Sequence, residues 1–449
     1  MLESETGEHA LSRIQQNWLV YCLMGIVLTN TVCWRAFERV GLSEYRVGAL
    51  SWMFRKGKIA WDGLLRASVA LLLEKYKITE AVLVIDDTDH RRAKKTSQIW
   101  KAQKIYDKKT GGFFNGQSLV FLILVTPKIT IPVGFRFYQA DPAMVAWKKT
   151  DEKLKKTGVK KRDRPAAPPA NPNYPSKQNL AHDLVDTFSQ QHPSVKIKAI
   201  TADALYGNQE SLDQLAGIKG NPQIISQLQK TQLIKFRGKK RTLTEFFQSY
   251  AGVPQRIRVR GGEEVQAIVG SARLHVCAHN KKRFVIALKY PGETEYRFLV
   301  ATDLSWRTID IVQAYTLRWL IEVFFQDWKL YEGWEQMTKQ PGEDGSSRSL
   351  ILSLLLDHAL FLHPEQSARI ENKLPACTVG SLIRHIQGEA FIHALRSFVE
   401  VDDFTARIDD FAEKVKTWFT LSDSKKHMNH RELGRLESTS SLIYLANAG

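Results

Sequence analysis

Cysteine is scarce: Cys22, Cys33, Cys277 and Cys377 are the four in 449 residues, widely spaced, with no C-x-x-C pair and nothing near the density of a disulfide-stapled scaffold. That excludes a small secreted framework and sets an expectation of a reducing compartment, the cytoplasm. Acidic residues are also in deficit, 47 Asp and Glu against 64 Lys and Arg, which leaves a net charge of +17. A surplus of that size implies an acidic partner, and a polyphosphate backbone is the usual one, because each neutralised phosphate releases condensed counterions. Long apolar runs are rare. Residues 18–34 form an uncharged stretch, but Glu3, Glu5 and Glu8 stand where a signal peptide needs positive charge. Asn17, Thr29, Asn30 and Thr31 make the stretch short and impure for a membrane span, so it reads as a buried helix and no membrane is expected. There is no internal repeat. What remains is an ordinary globular balance, 43% apolar and 25% charged, in a chain long enough for several domains.

The patterning divides the chain into five parts. Residues 1–78 read as helices, with Arg46, Arg55, Lys56 and Lys58 around a break. They could present a small DNA-binding module or simply a solvated face. Residues 79–229 change period: Ala81-Val82-Leu83-Val84-Ile85 is a continuous β-rich run of the kind covered on both faces, and it ends in Asp86-Asp87-Thr88-Asp89. A hairpin is expected over residues 118–138, a mobile basic loop over 148–177, a helix over 179–190, and a second buried strand over 195–200 that ends in Thr201-Ala202-Asp203. Residues 230–302 alternate in short runs and read as a small antiparallel β unit. Residues 303–365 hold one long amphipathic helix from about 309 to 330 and a second over 348–362. Residues 366–449 read as helical, with Leu382, Ile383, Ile386, Phe391, Ile392, Leu395 and Phe398 forming an apolar pattern that could cover the chain's own core or face a partner.

Strand ends are where carboxylates can meet solvent while resting on a rigid core, so Asp87 and Asp203 are candidate site residues, although an acid after a strand is also a common turn or cap. The long helix is more informative. At about 100° per residue, Tyr315, Arg318, Glu322 and Lys329 fall within roughly 60° of one another, opposite Leu317, Leu320, Ile321, Phe324 and Trp328. An Arg318–Glu322 pair alone would be ordinary; Tyr315 and Lys329 on the same stripe are not explained by it.

The spacing Tyr315-x2-Arg318-x3-Glu322-x6-Lys329 resembles the Y-R-E-K signature of bacterial insertion-sequence transposases with a DDE site. Ile85-Asp86-Asp87-Thr88 and Thr201-Ala202-Asp203-Ala204-Leu205-Tyr206-Gly207 stand in the order in which such enzymes carry their two Asp. The resemblance implies an α/β, RNase H-like core, a mixed five-stranded sheet flanked by helices. That core would span residues 79–229 and 303–365, interrupted by the antiparallel β insertion of 230–302, with a DNA-binding region before it and a helical, possibly dimerising region after it. It implies Asp87, Asp203 and Glu322 as catalytic metal ligands. Because neighbours on a strand project to opposite sides, only one of Asp86 and Asp87 can join; the family's acid-Asp-Thr pattern points to Asp87, and Asp86 is the alternative. Three carboxylates can hold two Mg²⁺ ions, for which Mn²⁺ could substitute, roughly 3.5–4 Å apart for phosphoryl transfer. Tyr315, Arg318 and Lys329 would hold phosphates of double-stranded DNA, at the element's terminal inverted repeats and in the target. Lys239, Lys240 and Arg241 could track DNA along the insertion. Relatives that pass through a hairpin stack a flipped base on a Trp, and Phe298 stands in the corresponding place, where a core Phe in a strand is an equal reading. The resemblance further implies a homodimer on DNA and a bacterial cytoplasm, beside the nucleoid. A nuclease or resolvase that joins nothing, and a domesticated regulator that binds DNA without cutting it, are the competing functions.

Overall fold

The computed structural model describes residues 11–41, 45–92, 98–107, 110–258, 264–337 and 340–399. Residues 1–10 and 400–449, and with them the three N-terminal acids and most of the expected C-terminal region, lie outside the described residues, as does the side chain of Phe398. Residues up to Phe391 make one compact unit, Met1–Phe391, and Ile392–Gly449 a second.

The chain enters through four helices, α1 (Arg13–Thr29), α2 (Trp34–Val40), α3 (Val47–Lys56) and α4 (Trp61–Lys75). A capping box starts α1: the Ser12 hydroxyl accepts from the Gln15 amide at 3.3 Å, and the Gln15 side chain accepts from the Ser12 amide at 2.8 Å. Trp18, Cys22 and Ile26 recur at four-residue spacing and are fully buried, so this stripe packs inward. The single helix expected over 18–34 is in fact two, bent by 88° after Asn30, whose left-handed φ of 48° stops α1. Among the described residues no single helix is long and apolar enough to cross a membrane.

After α4 come β1 (Glu80–Arg91), β2 (Gln103–Asp107), β3 (Gly112–Val125), β4 (Thr130–Tyr138), α5 (Pro142–Lys156), α6 (Lys177–Gln191), β5 (Lys196–Ala202), α7 (Gln209–Ala216) and β6 (Gln223–Leu228). β3 runs antiparallel to β1 on one side and to β4 on its other edge, while β5 and then β6 lie parallel to β1. The order across this part is therefore β4-β3-β1-β5-β6. Alternation sets the layers: Leu83 and Ile85 join Leu180, Leu184 and Phe188 of α6 on one face, whereas Val84 joins the cluster on the other. Each such fully buried side chain contributes about 1.5–3 kcal/mol.

The second half adds β7 (Leu233–Phe236), β8 (Lys239–Thr242), α8 (Leu243–Ser249), β9 (Val253–Arg258), β10 (Glu264–Val276), β11 (Lys281–Lys289), β12 (Arg297–Ala301), α9 (Thr308–Thr316), α10 (Trp319–Tyr331), α11 (Gly342–Leu360), α12 (Pro364–Glu371) and α13 (Val379–Val399). The strands of 230–302 are not a separate β unit. β12 pairs antiparallel with β6, so they continue one 12-stranded sheet out to β8. The whole is a mixed α/β molecule with one large, mostly antiparallel sheet flanked by helices.

Two further expectations change. Residues 148–177 are not a featureless loop: Asp141 caps α5, Pro142 takes its first turn, and Arg164 folds back on Asp151 with two contacts of 2.9 Å. The helix expected over 309–330 is two, because the amides of Leu317, Arg318, Leu320 and Ile321 reach carbonyls only three residues back, a local 3₁₀ tightening. Leu382 and Ile383 of α13 are buried in the cluster shared with α10 and α11 and Ile386 packs against it, whereas Phe391 and Ile392 of the same stretch are exposed.

Candidate active site

The carboxylates cluster where β1 and β5 end and α10 begins. Val84 and Asp86 share the face of β1 on which α10 lies; Phe324, Phe325 and Trp328 of α10 pack in the same cluster as Val84. Arg318 stands at the N-terminus of α10 and spans the gap. Its Nη1 donates to Asp86 Oδ2 at 2.7 Å and its Nη2 to Glu322 Oε1 at 2.5 Å, so one guanidinium holds a strand carboxylate and a helix carboxylate together. Glu322 also lies in the first turn of α10, where the helix dipole favours negative charge.

Asp87 points to the other face and is met by Lys177 at the start of α6, Nζ to Oδ2 2.5 Å; the same ammonium lies 5.2 Å from the Tyr138 ring centre. Asp203 follows β5 directly. Its Oδ1 accepts from the Leu205 amide at 2.9 Å, and its carbonyl accepts from Ser226 Oγ at 2.5 Å, which ties it to β6. Burial pushes the Asp86 carboxyl up to about 6, against the pull of Arg318 and of the Asp87 amide. Asp203 is raised for the same first reason, with the Asp87 charge adding to it. A cluster whose acids resist ionisation in the absence of positive charge is a cluster that favours a cation.

The remaining members of the helical stripe do not point to open solvent, as a plain amphipathic reading had them. Tyr315, buried, accepts from Gln227 Nε2 of β6 at 2.5 Å. Lys329 donates to Thr88 Oγ1 at 2.7 Å and reaches the Asp89 carbonyl at 3.4 Å. Tyr315, Arg318, Glu322 and Lys329 thus line one edge along the ends of β1 and β6. Beside Arg318 and Glu322 opens a cavity of ≈510 Å³, walled also by Tyr290, Arg297 and Trp319.

Four expected residues sit elsewhere. Phe298 is buried in the core between strands, its ring 5.7 Å from Phe247 of α8, and presents no open face. Lys239, Lys240 and Arg241 lie on β8 at the outer edge of the sheet, beyond β12, β11, β10 and β7.

Reading the sequence alone missed Lys177, Tyr206, Ser226 and Gln227. Ser226 and Gln227 are polar interruptions in the apolar run of β6, which is a usable signal. Tyr206 stands in the Thr201-to-Gly207 motif, which by itself assigns it no role: its hydroxyl is buried without a partner among the described residues, and burial together with Asp87, Asp203 and Asp86 pushes its pKa far up.

Residues 24–233 match the family model described as DDE superfamily endonuclease, a span that holds Asp86, Asp87 and Asp203 and stops before Glu322. No curated protein matches the chain. Among solved structures, the piggyBac transposase synaptic complex with hairpin DNA is similar at 10% identity over 92% of this chain and 79% of that one, with a TM-score of 0.41. The Drosophila P element transposase strand transfer complex is similar at 12% identity over 55% and 50%, TM-score 0.24. The NurA nuclease from Sulfolobus solfataricus is similar at 8% identity over 57% and 85%, TM-score 0.24.

Proposed function

We propose that the chain is a metal-dependent DNA transposase, which cleaves the ends of a mobile element and joins them to target DNA. The observation that carries this is the Arg318 bridge, which draws Asp86 of β1 and Glu322 of α10 to one cationic group, at a point beside Asp203. The match of residues 24–233 to an endonuclease superfamily supports it, as does the strand order β4-β3-β1-β5-β6, which is compatible with an RNase H-like core.

The donor set suits a hard divalent cation such as Mg²⁺ or Mn²⁺: it offers carboxylate oxygens, and a guanidinium already lies where positive charge is wanted. We assign Asp86, Asp203 and Glu322 as the ligands. Asp86 is preferred over the Asp87 suggested by the acid-Asp-Thr pattern because Asp86 shares the face of Glu322, while Asp87 is paired with Lys177. Bound there, divalent ions would activate the attacking oxygen and neutralise charge on the transferring phosphate.

The chain's own groups do the rest. Arg318 can release one carboxylate and turn its fork to a phosphate, for which it is geometrically matched. Lys329, whose pKa burial lowers, offers a point charge at the other end of the same edge, and Tyr315 holds β6 to α9 through Gln227. Lys177 neutralises Asp87, so that a surplus carboxylate does not repel the DNA. One active site per element end calls for at least two copies in the productive complex, and a two-fold pair is the simplest arrangement.

The test is a strand-transfer assay with Mg²⁺, a supercoiled plasmid and a pre-cleaved end taken from the inverted repeats that flank the gene. Insertion of the end into the plasmid is expected. Fragments released without insertion would assign a nuclease that joins nothing, and binding without metal-dependent cutting a regulator.

A further inference from the structure

Far along the chain from the carboxylate cluster, three metal-ligating side chains converge where α11 gives way to α12. His363 caps the N-terminus of α12; His385 and Glu389 stand one turn apart on the same face of α13. His363 Nε2 lies 3.1 Å from Glu389 Oε2, and His385 Nε2 lies 3.4 Å from Glu389 Oε1. The three ligand atoms all fall within 4.8 Å of one another, and among the described residues this is the one such group.

A tetrahedral ion with bonds of about 2.0–2.1 Å holds its ligand atoms about 3.3–3.5 Å apart. Each imidazole nitrogen already lies about that far from one Glu389 oxygen, and rotation of the His385 side chain, which is 56% exposed, would bring the three ligand atoms onto one ion. The Glu389 carboxylate turns one oxygen to each imidazole, Oε2 to His363 and Oε1 to His385, so the three side chains already face one another.

We propose that His363, His385 and Glu389 bind one divalent transition-metal ion of the zinc class, with the fourth position left to water. Imidazole nitrogen selects such ions over Mg²⁺, so this site and the carboxylate cluster take different metals from the same solution. The ion would pin α13 to the turn before α12. His363, only 15% exposed, is the fixed ligand, and the two residues of α13 close onto it.

The experiment is a Co²⁺ titration of the full chain followed by visible absorption, since nitrogen-ligated tetrahedral Co²⁺ absorbs strongly and oxygen-ligated octahedral Co²⁺ weakly. One equivalent with an intense band is expected. The exposed-site variant H385A, which removes no core contact, should lose the band, and E389Q should weaken binding at least about tenfold. Asp203→Ala, altered only at the carboxylate cluster, should keep the band. Absence of the band in the unmodified chain, or equal affinity in H385A, overturns the proposal; loss in Asp203→Ala alone would place the ion at the other site and overturn it equally.

Discussion

Replacing Arg318 by Gln removes a charge but keeps a side chain of similar reach, and its effect on the neighbouring acid can be worked out. Asp86 is already pushed up to about 6 by burial, with Arg318 at 2.7 Å the main force holding it down. A hydrogen bond to a charged partner is worth about 1.5–3 kcal/mol, and about 1.4 kcal/mol corresponds to one pKa unit, so the substitution should raise Asp86 by a further one to two units, roughly. The sign follows from the ionised form being the metal ligand. In the unmodified chain Mn²⁺ affinity should fall as pH drops through about 6, the value to which Asp86 is raised. In R318Q the fall should begin at correspondingly higher pH. Well above both transitions the order reverses, because the variant no longer sets a fixed positive charge against the incoming dication, and its affinity should exceed that of the unmodified chain. The two curves of Mn²⁺ affinity against pH, read by titration calorimetry, should therefore cross. An acid limb that stays in place in R318Q would refute the assignment of Asp86, and a limb that moves in a Lys177→Gln variant instead would transfer the role to Asp87.

Asp203→Asn and Glu322→Gln should each abolish metal-dependent cleavage while leaving DNA affinity within about threefold of the unmodified chain, because neither removes a phosphate contact; retained turnover in either, measured by end cleavage on a gel, removes that residue from the ligand set. With a net charge of +17, log affinity for DNA should fall steeply and linearly with log salt, and a flat response in a filter-binding series would count against phosphate-led binding. Burial pushes Glu332 up well above the carboxylate range and Asp357 from 3.8 to about 7, so the folded chain keeps protons that the unfolded chain gives up, and stability should decline as pH rises across that window. Glu332→Gln should flatten that decline by up to about 1.4 kcal/mol per pH unit in melts run as a pH series; an unchanged slope would mean that Glu332 is not carrying a proton.

The sequence is legible where local pattern and tertiary packing agree. The run Ala81 to Ile85 reads as a strand buried on both faces, and Leu83, Val84 and Ile85 do enter two different cores. The stripe of Tyr315, Arg318, Glu322 and Lys329 reads as the outward side of one helix, whereas the structure breaks that helix between Thr316 and Trp319 and turns Tyr315 to Gln227 and Lys329 to Thr88. What could not be read is the layer to which each neighbour belongs: the alternation of Asp86 and Asp87 is plain, but which of them meets α10 depends on where a helix more than two hundred residues later packs. Phe298 shows the same limit, since an aromatic on a short strand looks alike whether Phe247 covers it or nothing does. The pairing of β12 with β6 joins distant segments by backbone hydrogen bonds, which leave no trace in side-chain pattern. The Asp141-Pro142 start of α5 was a local signal that the density of Lys and Pro after it obscured.

That last pairing makes the segment of 230–302 a structural beam rather than a graft. Leu299 lies opposite Gln227 and Val300 opposite Ser226, the two β6 residues whose side chains reach Tyr315 and the Asp203 carbonyl. Excising the segment would strip β6 of its neighbour and leave Ile224 and Ile225 on a raw edge, an open template for other chains to pair with. Strain applied at the distant β8 margin has a continuous ladder along which to travel to the carboxylates proposed as metal ligands. The segment's length can therefore vary cheaply only at its outer hairpins, and insertions there, away from β12, are the ones the molecule can absorb.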